Sequence, residues 1–379
     1  MWVQSLSLTD LRSYEQVDCT LQRGVTTFVG RNGQGKTNLV EAIGYIATLG
    51  SHRVATDAPL VRTGATQGVI RCEVVNDDRV ITIELAINPG SANKARVNRS
   101  PVPKVRDVLG LLRTVLFAPE DLALVKGDPS DRRKFIDDLL VQRTPRLAGT
   151  RSDYERTLKQ RNALLKSSSI ARRSAGTEML RTLEVWDEQL AASGSELISA
   201  RIALLDDLMC LGRSKYTFIS GDESTLLGME YISSLGNDVP LLADRESWRL
   251  AILESIKNKR REELDRGLTL IGPHRDDILL TLGQMPAKGY ASHGESWSIA
   301  LALRLASFEL LRTDGVDPVL ILDDVFAELD VSRRQRLAEQ VATATQVLIT
   351  AAVDLDIPET LRGVRFAVNS GTVTMQEAS

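Results

Sequence analysis

The segment GRNGQGKT, residues 30–37, directly follows the apolar run Val25-Thr26-Thr27-Phe28-Val29. It precedes a stretch in which Leu39, Val40, Ile43, Ile46 and Ala47 recur at helical spacing. Gly30, Gly35, Lys36 and Thr37 match the pattern GxxxxGK(S/T), which is informative only with a strand before it and a helix after it. Chemistry explains the residue types. Positions without side chains let the backbone wrap a phosphate with its N–H groups inward, and a helix starting at Thr37 adds the positive end of its dipole. Lys36 then reaches the β- and γ-phosphates, and the Thr37 hydroxyl is placed to ligate Mg²⁺. Arg31, Asn32, Gly33, Gln34 and Asn38 complete the cradle.

The chemical partner of such a cradle lies far downstream. In PVLILDDVFAELD, residues 318–330, Asp323 and Asp324 end an apolar strand, where ligand sites of parallel sheets gather. A buried carboxylate pair needs a cation or donors to compensate it, and Mg²⁺ beside Thr37 would do so. Asp323 is the expected metal-side carboxylate, and Asp324 the residue expected to orient an attacking water; the alternative is an exposed Asp turn. Just upstream, Ser292, Gly294 and Glu295 open a strongly amphipathic helix, a second anion-seeking N-terminus. One nucleotide cannot easily occupy both termini of one chain, so the second is expected to cap a nucleotide held by another subunit. The plainer alternative is an ordinary N-cap by Ser292 or Ser296.

At 379 residues the chain exceeds the size at which single cores stop growing, about 250 to 300 residues. Short β-rich runs fill Met1 to about Pro119, long charged helices fill about Asp121 to Asp265, and strand–helix alternation returns after Gly267. The expected division is 1–120 and 267–379 for an α/β lobe and 121–266 for a helical lobe or arm, with KSSSIARRSAG (166–176) as a mobile connection between helices. A net charge of −3 excludes a bulk polycation, and a 4 % aromatic share argues against a base-stacking platform. Cys19, Cys72 and Cys210 are isolated, and no apolar segment approaches the about 20 residues needed to span a bilayer. A cytoplasmic protein without a membrane partner is the expectation.

Cradle, helical insertion, the S-x-G-E opening, Asp-Asp after a strand and then Glu328-Leu329-Asp330 together resemble the ATP-binding-cassette (ABC) ATPases of chromosome maintenance and DNA repair. The resemblance runs through GSHR (50–53), LFAPEDLALVKGDPSDRRKFID (116–137) and IGPHRDD (271–277), and so over essentially the whole chain. It implies an α/β ABC-type P-loop ATPase head built from both chain ends, with an inserted helical lobe, similar to SMC and Rad50 heads without a long coiled coil. ATP and Mg²⁺ would be the cofactors. Ser292, Gly294 and Glu295 would contact the γ-phosphate across a head-to-tail ATP dimer with Asp330 at its seam, and Arg12 and Arg53 match positions that touch nucleotide. Lys36 and Asp324 would be catalytic. Three departures point to slow hydrolysis, with ATP acting mainly to hold the dimer: no glutamine near 118–120, Ala351 where a histidine is expected, and Asp324 where transporters carry Glu.

The implied role is DNA binding at single-stranded gaps and replication forks, helping to load recombinase alongside recombination mediator proteins such as RecR and RecO and supporting the SOS response. An ABC transporter motor is the alternative. A small-molecule P-loop kinase is a third reading, and it predicts no signature helix. DNA phosphates would meet Arg132, Arg133 and Lys134, the helix carrying Arg151, Arg156, Lys159 and Arg161, or KNKRR, with Lys257, Lys259, Arg260 and Arg261. Each group is also readable as a solvated helix face. His274 and Arg275 have no nucleophile at a recognisable spacing, which favours a hydrogen-bonded structural role for His274.

Overall fold

A computed structural model describes residues 1–170, 177–236, 240 and 244–376. The chain divides into two compact units, one comprising Met1–Lys126, Cys210–Leu227 and Gly289–Ser379, the other Gly127–Met209 and Gly228–Lys288.

The first unit contains two six-stranded sheets. One is antiparallel throughout, in the order Tyr14–Thr20, Trp2–Leu11, Gly68–Asn76, Arg79–Ile87, Lys94–Val97, Ser100–Pro101. Its strands are buried on one face, and they alternate accordingly: Leu6 and Leu8 point inward, with a register shift between Val3 and Ser5 that keeps Val3 inward too. The other sheet runs Thr372–Gln376, Val364–Asn369, Gly24–Val29, Gln346–Ala351, Val319–Asp323, Thr114–Phe117. Five of its strands are parallel, and only the last strand of the chain is antiparallel to its neighbour. The central strands Val319–Asp323 and Gln346–Ala351 are buried at every position, as their unbroken apolar runs require. Phe28, Leu39, Ile43, Ile46, Leu8 and Ile70 share one core, so the helix Lys36–Thr48 is packed in the core shared by both sheets. Burying each such side chain stabilises by about 1.5 to 3 kcal/mol. Gln346 stitches this core with polar bonds: its amide receives Val3 N at 2.8 Å and donates to Val3 O at 2.9 Å and Gln22 O at 3.0 Å.

The second unit holds the helices Pro129–Arg143, Leu147–Ile170 and Arg245–Arg266, residues up to Met209 of the helix Thr177–Ser220, and a small sheet ordered Met285–Pro286, Asp277–Leu282, Leu227–Ile232. Its interior is held by buried ions. Arg161, fully buried, donates to Asp187 at 2.8 Å, Thr269 at 2.7 Å and Glu263 at 2.5 Å. Arg201 grips Asp137 at 2.8 and 2.9 Å and the Pro273 carbonyl at 2.7 Å. These clusters explain why the helices read as charged throughout: several of the charges face inward and pair there.

Three expectations change. The lobe boundaries differ from 121–266, because residues 210–227 join the first unit, where Lys215 Nζ bonds Gln340 at 2.7 Å and Arg336 Nη1 bonds the Ile219 carbonyl at 3.0 Å. Residues 267–288 join the helical unit, since Asp277–Leu282 sits in its three-stranded sheet rather than in the parallel one. The helix Thr177–Ser220 has 44 residues, which at about 1.5 Å per residue spans about 66 Å. Helix Leu147–Ile170 takes in the start of the expected 166–176 connection, and residues 171–176 lie outside the described residues.

His274 is structural, held between the Tyr154 hydroxyl, 2.6 Å from Nδ1, and the Thr269 carbonyl, 3.3 Å from Nε2. Burial, which outweighs the Thr269 hydrogen bond, pushes its pKa from the ordinary 6.5 down to about 4. The unfolded ring takes a proton near pH 6.5 and the folded ring only near 4, so its contribution to stability is present above pH 6.5 and is lost as pH falls toward 4, by roughly 3 kcal/mol at most. Urea unfolding of the helical unit should weaken more steeply over that window in the parent than in His274→Gln; parallel slopes would contradict this account.

Candidate active site

The strand Gly24–Val29 runs out into residues 30–35, which turn directly into the helix Lys36–Thr48. Gly33 and Gly35 adopt φ of +82° and +110°, which a side chain would strain. A Cβ on Gly30 would lie 2.2 Å from the Val368 carbonyl oxygen, and one on Gly35 2.7 Å from the Tyr14 hydroxyl, so both glycines are also required by close approach. Lys36 is buried, with Nζ 3.4 Å from the Arg31 carbonyl and 3.3 Å from Asn32 Oδ1. Its ammonium therefore lies over the loop.

Asp323 closes the central strand Val319–Asp323 and is buried. Its Oδ1 accepts two hydroxyls, from Thr37 at 2.9 Å and from Thr350 at 2.6 Å. Thr350 is set opposite Asp323 by the parallel register and also accepts Asp324 N–H at 2.9 Å. Hydrogen bonds to a charged group contribute about 1.5 to 3 kcal/mol each, which offsets the cost of burying the carboxylate. Asp324 follows in the left-handed region at φ +50°, turning its side chain away from the strand direction. Its carboxyl pKa is raised, first by burial and then by Asp323, Asp356 and Glu120, against the opposing charge of Lys36. His52 Nε2 approaches Asp323 Oδ2 at 3.5 Å.

Arg12 and Arg53 converge on one buried carboxylate. Glu41, on the helix after the loop, receives Arg12 Nε at 2.9 Å and Nη2 at 2.7 Å, while Arg12 Nη1 donates to the Pro59 carbonyl at 3.0 Å. The Ser51 hydroxyl also donates to Glu41. Arg53 Nη1 lies 3.8 Å from Glu41 and bonds Asn38 Oδ1 at 3.1 Å, with its side chain 38 % exposed. Arg12 is thus committed to bracing the loop after the helix, and Arg53 retains a solvent-facing guanidinium beside Asn38.

The second cluster is the helix His293–Thr313. Ser292 caps it in a reciprocal box: its hydroxyl accepts Glu295 N–H at 3.2 Å and its N–H donates to Glu295 Oε2 at 2.7 Å. These bonds hold the Glu295 carboxyl below the ordinary range. Gly294 leaves room for Arg333, whose guanidinium would lie 3.0 Å from a Cβ there. Arg333 donates to Ser298 Oγ at 2.9 Å and pairs with Asp330, which caps the helix Val331–Val341 by accepting Arg333 N–H at 2.9 Å. That backbone bond lowers the Asp330 pKa. Ser292, Gly294, Glu295 and Asp330 are therefore one cluster joined through Arg333. Among the described residues no hydrogen bond or ion pair joins it to the cradle.

Sequence reasoning missed Glu41, Ser51, Thr350 and Arg333. Glu41 and Arg333 sit on helices whose periodicity gives no sign of a partner, and Thr350 becomes visible only once strand register is known. Several of the residues expected to contact DNA phosphates are engaged within the chain, and burial takes Arg132 and Arg161 out of reach. Arg132 is buried and held bidentate by Asp277 at 2.8 and 2.9 Å, Arg133 donates to the Asp276 carbonyl at 2.7 Å, and Arg161 and Arg260 pair with Asp187. Lys134, Arg151, Arg156 and Lys259 have carboxylate partners on their own helices. Lys159, Lys257 and Arg261 are exposed and, among the described residues, have no acidic partner.

The model of the "RecF/RecN/SMC N terminal domain" family matches residues 2–368. A DNA replication and repair protein RecF from Frankia alni is 59 % identical over 375 residues, covering 98 % of this chain and 99 % of that one. Its counterpart from Streptomyces avermitilis is 56 % identical over 374 residues, covering 98 % and 99 %. A solved structure of the recombination mediator protein RecF-ATP in the RecFOR pathway superposes with TM-score 0.87 at 27 % identity, covering 99 % of both chains. A Pyrococcus furiosus Smc head shares the fold, with TM-score 0.55 at 15 % identity over 99 % of this chain and 96 % of that one.

Fold and site together define an ABC-type P-loop ATPase head. The chain belongs to the RecF/RecN/SMC family, and its relatives at 50–59 % identity are the RecF proteins of DNA replication and repair. The transporter alternative is set aside on this finding, and among the described residues no helix is long and apolar enough to cross a membrane.

Glu41→Ala leaves the Arg12 guanidinium without its buried partner and should destabilise the first unit by about 3 to 5 kcal/mol in chemical denaturation. A loss under 1 kcal/mol, the value about expected for a surface pair, would contradict the bracing role.

Proposed function

We propose that this chain is an ATP-dependent DNA-binding protein of recombinational repair that dimerises head-to-tail on ATP and hydrolyses it slowly. The observation that carries the reading is the 2.9 Å bond between Thr37 and Asp323, which closes 286 residues of chain onto one phosphate cradle. The ATP-bound RecF neighbour supports ATP as the nucleotide.

In this reading residues 30–36 bind the phosphates through backbone N–H groups and the Lys36 ammonium, which leaves the Arg31 and Asn32 oxygens for the γ-phosphate. A hydroxyl beside a buried carboxylate is a donor set suited to Mg²⁺, which Thr37 and Asp323 would hold and which would neutralise charge on the β- and γ-phosphoryl oxygens. Thr350 keeps Asp323 oriented. Asp324 orients the attacking water from a carboxylate one methylene shorter than the Glu of fast transporters, which supports slow turnover. Ser292, Gly294 and Glu295 of a second copy close the pocket with helix N-terminal N–H groups, and Asp330 lies at the seam, fixed by Arg333. Arg53 is the arginine available to nucleotide. ATP thereby holds two heads together, and its hydrolysis releases them.

DNA is the proposed partner, at single-stranded gaps and replication forks, with hydrolysis weakly stimulated by it. Lys159, Lys257 and Arg261 are exposed cations suited to meet phosphates, and such contacts predict weak sequence preference and steep salt dependence. The placement of the RecF neighbour in the RecFOR pathway supports RecR and RecO as partners in loading recombinase and supporting replication restart and the SOS response.

Asp324→Asn should retain ATP-dependent dimerisation, read by light scattering, while turnover falls about 100-fold or more, the range of general acid–base groups. Full turnover in the variant, or failure of the parent to dimerise with ATP, would overturn the proposal.

A further inference from the structure

The cradle draws few bonds from its own backbone. Gly33 and Gly35 lie in the left-handed region and confer no stiffness, and the loop's own backbone bonds are few: Gln34 N to Arg31 O at 3.3 Å and Asn38 N to Gly35 O at 3.0 Å. It is clamped from outside instead. The Tyr14 hydroxyl donates to the Gly35 carbonyl at 3.1 Å, and Gly30 lies against the Val368 carbonyl. A third clamp involves a loop side chain: Gln34 Oε1 accepts both Ser370 N–H at 2.7 Å and Ser370 Oγ–H at 3.0 Å.

Ser370 belongs to the turn that joins Val364–Asn369 to Thr372–Gln376, with Asn369 paired to Thr372. Its two central residues, Ser370 and Gly371, have φ of +47° and +82°, the tight hairpin turn that favours Asn or Gly at the first position. Serine there violates the local preference, and such violations concentrate where a side chain has a task. The task visible here is to present two donors to one oxygen of the phosphate loop. Because a backbone N–H can only donate, the Gln34 carboxamide is fixed in one orientation.

We infer that Ser370 is a positioning residue for nucleotide binding: the C-terminal hairpin latches Gln34 and holds the phosphate loop open in its binding shape. The inference rests on the ATP-binding reading above. Its effect lies in preorganisation, since a loop already ordered loses less freedom when phosphate arrives.

The test is a double-mutant cycle of Gln34→Leu, Ser370→Ala and the pair in the full chain, with two readouts. Hydrogen exchange of residues 30–35 without nucleotide should speed up in Gln34→Leu, which removes both bonds, and by less in Ser370→Ala, which keeps the backbone donor, and the pair should be no faster than Gln34→Leu. The KM for ATP should rise about three- to tenfold with non-additive effects, and in Ser370→Ala the change should fall on KM rather than kcat. Additive effects, or unchanged exchange in Gln34→Leu, would overturn the latch. Faster exchange with an unchanged KM would overturn its role in binding. A parent that binds no ATP would sink the proposed function instead, while the exchange comparison would still decide whether the hairpin holds the loop.

Discussion

Two threonine hydroxyls converge on one buried carboxylate oxygen, and the rest of the site is arranged around that point. Asp323 cannot be buried at the end of an all-apolar strand unless donors meet it, and Thr37 and Thr350 do. The strand order then becomes functional, because Gly24–Val29, Gln346–Ala351 and Val319–Asp323 are consecutive neighbours. The loop after the first, the end of the second and the end of the third must emerge along one edge of the sheet. Parallel pairing thus brings residues far apart in the chain to one edge beside the glycine loop, where we propose that phosphate and metal bind.

The cluster proposed to close the pocket of another copy is built by different means. Ser292, Glu295 and Asp330 spend their side chains on helix caps, and Arg333 ties the two capped helices together. Caps of this kind leave the remaining N–H groups of the helix start directed outward. A cluster so ordered is what the proposed head-to-tail pocket asks of its second copy. The Glu41 brace does the corresponding work on the cradle side, fixing Arg12 and Ser51 while leaving Arg53 at the surface.

Much of this was legible in the sequence, for identifiable reasons. The cradle and the Asp-Asp strand are local patterns whose chemistry dictates residue type, and the apolar run ending at Asp323 marks a central strand. Thr350 was not legible, because its role depends on register between two strands. The helical unit was misjudged more deeply. Arg132 and Arg161 look like solvated cations in a linear reading, whereas Asp277, Asp187 and Glu263 arrive from distant segments to bury them. A charge pattern along one helix carries no record of which face meets an acid, so a basic stretch was taken for a DNA surface when part of it is interior scaffolding.

The central claim is that each working pocket draws its cradle from one copy of the chain and its helix cap from another. Its most direct measurement is ATPase activity in a mixture of Lys36→Ala and Ser292→Arg chains, each inactive alone. Shared pockets predict recovery to about one quarter of the parental rate at equal amounts, since half of the dimers are mixed and each has one intact pocket. A mixture as inactive as its components, with mixed dimers demonstrably present, would contradict the account.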